Sequence, residues 1–127
     1  MQNTINEMLD KKVWAVVGAT KNEAKFAYKI YKKLLSKGYT VYPVNPVYDE
    51  IEGNICYGSL EELPEKPDCI NVVVSPKRAI KPIEDAYKLG IEYIWFQPGA
   101  FDDETIKLAN EKNLKSVYHK CVLVELG

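Results

Sequence analysis

The chain has 127 residues, with 17 Lys and Arg against 18 Asp and Glu for a formal net charge of -1, and three cysteines. A domain of this length buries about two-thirds of the surface of its unfolded chain, so residues 1–127 read as a single domain, and the balanced charge supplies no field to recruit nucleic acid or an anionic membrane. Cys56, Cys69 and Cys121 are odd in number and widely spaced, which fits neither a disulfide framework nor the paired spacing of a metal or redox site. No apolar run approaches the ~20 residues of a membrane span, and residues 1–10 are mixed polar rather than basic and apolar, so a cytoplasmic location is expected.

In chain order, apolar β-branched runs of strand length alternate with segments of helical period, the pattern of βαβ units. The first strand is Val13–Val17, and a helix follows over residues 23–37, with Ala27, Ile30, Tyr31, Leu34 and Leu35 on one face, Asn22 as its cap and Gly38 as its stop. A second strand, Thr40–Val44, ends in Asn45-Pro46; a loop or short hairpin then turns on Gly53, and Ser59 with Glu62 predicts a capping box for a brief helical turn. The third strand, residues 69–74, is apolar apart from Asn71, as expected of a strand covered on both faces. Ser75 and Pro76 start the next helix, Pro82 marks either a kink or a later start at Lys81, and Gly90 closes it. A fourth strand over residues 92–96 stops at "QPGA"; Asp102 or Asp103 caps a last helix ending near Asn113, residues 115–118 form a fifth strand, and the apolar tail "CVLVEL" must dock on the body.

Right-handed crossovers lead from this pattern to a doubly wound, five-stranded parallel sheet in the order 3-2-1-4-5, a Rossmann-like three-layer α/β sandwich. Ligands of such sheets bind at the carboxyl ends of the strands beside the switch point, here expected between strands one and four, where "GATK", "VNP", "VSPK" and "QPGA" converge. Gly18 permits close backbone approach to a ligand, and a helix start beyond it favours a phosphate. The dinucleotide fingerprint G-x-G-x-x-G nevertheless lacks two of its glycines here, and Val44-Asn45-Pro46 occupies the place of the ribose-binding acid. Gly18 therefore opens a site for another nucleotide, or serves as a structural turn.

The segments "VVGATKNEAKFAYKIYKKLLSKGYTVYPVNP", "IWFQPGAFDDETIKLANEKNL" and "HKC" resemble the small stand-alone CoA-binding proteins, which are similar to the CoA-binding domain of succinyl-CoA synthetase. The likeness runs from about Val13 to Leu126. It implies CoA as the ligand, with Gly18, Ala19 and Thr20 at the phosphates, Lys21 adding charge, and Asn45 and Pro46 walling the nucleotide. It further implies that Ser75, Pro76 and Lys77 belong to the loop after the third strand, and Gln97, Pro98 and Gly99 to a loop near the pantetheine. Relatives often carry a proline and an arginine in the first loop, where this chain has Glu23, Ala24 and Lys25 around Phe26. The three phosphate groups of CoA suit a site holding Lys21, Lys77 and Arg78.

No acylatable or phosphorylatable residue with an activating partner stands out, so the chain reads as binding CoA or an acyl-CoA without catalysing a reaction alone, as a carrier, a sensor or a partner of an acyl-CoA enzyme. His119 and Cys121 are the exception: in a strand they would share a face as a base and a thiolate near the CoA thiol, against the alternative of an inert, partly buried cysteine. Two further readings stand beside CoA binding, an NAD(P)-dependent oxidoreductase or other nucleotide-binding enzyme, and a ligand-free protein-interaction module using the apolar tail.

Overall fold

The structure, a computed structural model, describes residues 1–127. Its elements are α1 (Gln2–Leu9), β1 (Val13–Val17), α2 (Phe26–Ser36), β2 (Thr40–Val44), β3 (Glu50–Ile51), β4 (Asn54–Ile55), a 3-10 turn (Leu60–Glu62), β5 (Cys69–Val72), α3 (Pro76–Leu89), β6 (Tyr93–Phe96), α4 (Asp103–Glu111), β7 (Lys115–Val117) and α5 (Val122–Leu126). Five strands form a parallel sheet in the order β2-β1-β5-β6-β7, and β3 and β4 make a separate antiparallel hairpin that turns on Glu52 and Gly53, both with positive φ. Side chains alternate between two cores. Trp14 and Val16 face α1, α2 and α5 through Met8, Ile30, Leu34 and Val122; Ala15 and Val17 face α3 and α4 through Ala79, Ile83 and Ala109. No helix is long and apolar enough to cross a membrane.

The doubly wound, five-stranded parallel class is the expected one, but the strand order is corrected. Counted among the sheet's own strands it runs 2-1-3-4-5 instead of 3-2-1-4-5, so the switch point falls between β1 and β5. Pro43 supplies the reason. Its carbonyl accepts the Tyr57 N–H at 3.0 Å on the side away from β1, so the N–H that proline lacks would also have pointed outward. Between two strands β2 would lose a ladder bond there; at the edge it loses none. The strand that takes the centre is β5, buried at all four positions.

Several local expectations also shift. Helix α2 begins at Phe26, three residues later than predicted, and Asn22 caps no helix: its Oδ1 accepts the Ala24 N–H at 3.0 Å within the loop. Ser59 forms no capping box, because its hydroxyl donates to Glu62 Oε2 at 3.3 Å instead of accepting a backbone N–H. Helix α3 runs unbroken from Pro76, with Pro82 buried inside it and Gly90 closing it in the left-handed conformation. The capping box of α4 is reciprocal, Asp102 Oδ1 accepting the Thr105 N–H at 2.9 Å and Thr105 Oγ1 the Asp102 N–H at 2.8 Å. The apolar tail docks on the α2 side as α5, with Val122 buried. Helix α1 was not foreseen in residues 1–10; it buries Ile5 and Met8 in the core beneath Trp14 and Trp95. Replacement Ile5→Ala should therefore lower the unfolding free energy by about 2–4 kcal/mol, read as a reduced urea midpoint at unchanged m-value; an unaltered midpoint would show that α1 contributes nothing to the fold.

Candidate functional site

The site grows from the backbone at the carboxyl ends of the strands. Beyond the strands proper the ladder continues one step: Gly18 N–H donates to the Val44 carbonyl at 2.8 Å, Val73 N–H to Val17 at 2.9 Å and Gln97 N–H to Val72 at 3.1 Å. Gly18 holds φ +99°, and a Cβ built on it would lie 2.8 Å from both the Val73 carbonyl oxygen and Val74 Cγ1. Here the close approach that glycine permits is to the neighbouring strand of the same chain. Residues 18–25 form the loop that follows, so α2 does not start directly after Gly18 but at Phe26.

Asn45 fastens this loop from β2. Its side-chain amide donates to the Ala19 carbonyl at 2.9 Å, and its Oδ1 accepts the Val47 N–H at 3.0 Å. Thr20 Oγ1 accepts the Asn22 N–H at 3.2 Å and pairs with the Tyr48 hydroxyl at 3.1 Å. Lys21 turns to the hairpin and meets Glu50 at 2.8 Å, where each holds the other charged: Glu50 raises the ammonium pKa, and the ammonium with the Gly53 N–H lowers that of the carboxyl. Lys21, Glu50, Glu52 and Tyr28 line a groove of about 370 Å³ beside the hairpin, where Glu52 raises the Tyr28 phenol to about 12 by accepting its proton in a hydrogen bond.

Two grooves flank Val74 at the switch point. The first, about 300 Å³, lies between the β2 end, the 3-10 turn and α3; Val17, Val44, Pro46, Leu60 and Val74 give it apolar walls, and Arg78, Lys81 and Asp85 stand on α3. The second, about 290 Å³, lies between the β5 and β6 loops and is lined by Val73, Ser75, Pro98, Gly99 and Ala100. Val74 and Arg78 border both. Arg78 is exposed and forms no ion pair, unlike Lys21 and Lys81. Of the residues singled out from the sequence, Pro46, Ser75, Arg78, Pro98 and Gly99 thus border the two joined grooves, while Lys21 borders the hairpin groove. Pro76 and Lys77 form the first turn of α3, with Lys77 exposed. Asp85 was missed, although Arg78, Lys81 and Asp85 follow the three-and-four spacing that puts residues on one helix face.

Gln97 turns inward. It is 3 % exposed; its Oε1 accepts the Val122 N–H at 3.0 Å and the Asn71 amide at 3.4 Å, and its Nε2 donates to Cys121 Sγ at 3.3 Å. His119 and Cys121 do not share a strand face, because β7 ends at Val117 and His119 takes a left-handed conformation, φ +66°. The imidazole packs edge-on against Phe101 at 4.8 Å, and Cys121 precedes α5, partly exposed. Cys56 and Cys69 are buried, and burial raises both thiol pKa values. No cluster of His, Cys, Asp or Glu is arranged to hold a metal ion.

A parallel sheet whose switch point opens on two joined grooves defines a Rossmann-like α/β domain with a ligand crevice at the strand ends. The chain belongs to the CoA binding domain family, whose model matches residues 12–127. It is 41% identical over 81 residues, 64% of its length, to acetate–CoA ligase [ADP-forming] I of Archaeoglobus fulgidus, of which it covers 12%. It thus spans about an eighth of that ligase. Across 94% of its own length and 90% of the relative's it is 27% identical to the uncharacterized protein YneT of Bacillus subtilis. Among solved structures it is similar to a conserved hypothetical protein from Pyrococcus furiosus, at 44% identity and TM-score 0.85, covering 90% of this chain and 98% of that one. A hypothetical protein from Pyrococcus horikoshii matches at 36% identity and TM-score 0.92, covering 98% and 89%.

Two glycines with nearly equal φ separate backbone strain from contact. A side chain at Gly99, φ +91°, meets nothing within 4 Å, whereas one at Gly18 meets the β5 end. Gly99→Ala should cost about 1 kcal/mol from φ alone, and Gly18→Ala distinctly more, about 2–4 kcal/mol. Chemical denaturation of both variants checks this; equal losses would show that the β1 and β5 ends part freely.

Proposed function

We propose that this chain, acting as one CoA-binding domain over residues 1–127, binds CoA or an acyl-CoA across the carboxyl ends of its sheet. It catalyses no reaction alone and serves as a carrier, a sensor or a partner of an acyl-CoA enzyme in the cytoplasm. Family membership and the kinship with acetate–CoA ligases support the ligand class. The observation that carries the reading is Arg78, an exposed arginine with no carboxylate partner at the junction of two grooves. That arrangement fits a long ligand with a flat base at one end, anionic groups in the middle and a slender arm at the other, and a guanidinium fork is well matched to phosphate oxygens. CoA supplies a terminal thiol that carries acyl groups as thioesters.

In this reading Pro46 walls the base, with Asn45 holding the wall in place through Ala19. Gly18, Ala19 and Thr20 form the loop bordering the phosphates, while Arg78 is the principal phosphate-binding cation, with Lys77, Ser75 and Pro76 beside it and Lys21 at longer reach. Pro98 and Gly99 border the arm, and Gln97 positions their loop from within. A thermal-shift panel tests the ligand class, since a ligand at about a hundred times its dissociation constant stabilises by about 2.7 kcal/mol, several degrees for a domain of this size. CoA should shift the midpoint most, dephospho-CoA less and NAD or NADP little. Arg78→Glu should remove most of the CoA shift, more at low salt than at high, and Lys21→Glu less of it; a larger response to NAD than to CoA would overturn the reading.

Cys121 gives the site its second test. Gln97 connects it to the loop bordering the proposed arm, and unlike Cys56 and Cys69 it is not buried. With CoA disulfide as oxidant, the Cys121 thiol loses its proton to solvent and the thiolate attacks one disulfide sulfur. Cys121–S–S–CoA forms as the other CoA leaves as a thiolate. Intact-mass spectrometry should find one adduct, reversed by dithiothreitol, absent in Cys121→Ser and retained in Cys56→Ser and Cys69→Ser. No adduct, or one that follows Cys56, would remove the thiol contact and leave CoA binding standing.

A further inference from the structure

Asp85 has no task in the fold that accounts for its position. Its side chain is 7 % exposed, a burial that ionised carboxylates seldom accept without several donors. The one side-chain donor that reaches it is Lys81, at 2.7 Å to Oδ2, and the Lys81 side chain is itself 68 % exposed. The pair sits on the helix with the cation preceding the acid, the less favourable order for this spacing. Asp85 lies near the end of α3, caps nothing, and belongs to a residue type that favours helix interiors poorly. It faces the first groove, otherwise walled by Val17, Val44, Leu60, Val74 and Pro82. A carboxylate has about four acceptor positions, so most of the acceptor capacity of Asp85 remains for whatever enters that groove.

The surroundings narrow the class of occupant. An anionic group is opposed by Asp85 itself, and a cationic group by Arg78 and Lys81 on the same face of α3. What fits is a neutral, flat group with apolar faces for the valine and leucine walls and an N–H donor on its edge. We propose that Asp85 reads the base of the bound nucleotide, its carboxylate accepting a hydrogen bond from the exocyclic 6-amino group of a purine. The assignment rests on the CoA reading above and adds to it the residue that selects the base. It also explains why a largely buried acid with a single side-chain partner persists at this position: a site that hydrogen-bonds a donor discriminates against the analogue lacking it.

Isothermal titration of wild type and Asp85→Leu with CoA and with its 6-desamino (purine) analogue tests the proposal. Wild type should bind CoA about tenfold or more tightly than the analogue. Asp85→Leu should bind the two equally, with CoA affinity lowered and that of the analogue unchanged or raised. Its melting temperature should be at least that of wild type, since an apolar side chain replaces an ill-paired buried charge; should it fail to fold, Asp85→Ala carries the same comparison. Wild-type binding of both ligands with equal affinity, or a preference that survives in the variant, overturns the assignment and leaves the CoA reading intact. No binding of CoA by wild type overturns both.

Discussion

The architecture of the crevice depends on one backbone contact, the packing of Gly18 against the carboxyl end of β5. The Val73 carbonyl oxygen and Val74 Cγ1 occupy the space where any other residue would place its Cβ. Because that space is shared, β1 and β5 can sit side by side to their very ends, and the ladder carries one residue past the strands from Val44 to Gly18, from Val17 to Val73 and from Val72 to Gln97. Four loops therefore leave the sheet from a common rim. Val17, Val44, Val73 and Val74 become the walls from which the two grooves rise. Without the glycine the rim would open between its two central strands, and both grooves would change shape together because they share Val74.

The "QPGA" turn divides its work on the same principle. Pro98, Gly99 and Ala100 line a groove, but Gln97 is spent inside the protein, bridging Asn71 on β5 to Cys121 and Val122 at the start of α5. Trp95 adds a second tether, its indole N–H donating to the Lys120 carbonyl at 2.9 Å. The C-terminal segment is thus bonded to two successive inward side chains of one strand end. Such pairing is what allows polar groups to be buried there, although Asn71 Oδ1 and the Trp14 indole nitrogen are left without partners.

Most strands and three of the helices were legible in the sequence because their period and punctuation are local: the capping pair Asp102 and Thr105, the proline opening α3 and the glycine closing it all act within a few residues. The strand order was not read correctly, yet its determinants were present. Pro43 disqualifies β2 from a central place, and the unbroken apolar run around Asn71 demands one for β5; both are stronger constraints than the frequency of one topology over another. Helix α1 was missed because nothing punctuates it: it is short, Met1 at its amino end makes no side-chain capping bond, and only Ile5 and Met8 are buried, whereas α4 with as few buried residues is announced by its capping box. At the crevice the glycine, Pro46 and the β5 and β6 loops were found from strand ends alone. Asp85 escaped because it lies seven residues after Arg78, in the second half of α3 and away from those strand ends in sequence, yet it lines the first groove.

Charge at the crevice shows why counting cations along the chain misjudges a site. Lys21, Lys77 and Arg78 are equal in sequence, one positive charge each beside a strand end, but the fold treats them differently. Lys21 is drawn off to Glu50 on the hairpin, just as Lys32 is to Glu52. Lys81, closer to the first groove than either, is occupied by Asp85. Only Lys21, Lys32, Lys81 and Lys115 of the 17 Lys and Arg form an ion pair, so lack of a partner alone singles out no cation; what singles out Arg78 is that it is unpaired and borders both grooves at their junction. Its guanidinium can hold two oxygens of one anion in a fixed plane where an ammonium acts as a point charge. In the reading proposed above, an anion in the crevice would be held chiefly by Arg78, and that attraction would extend little further than the roughly 8–10 Å over which physiological salt leaves a charge unscreened.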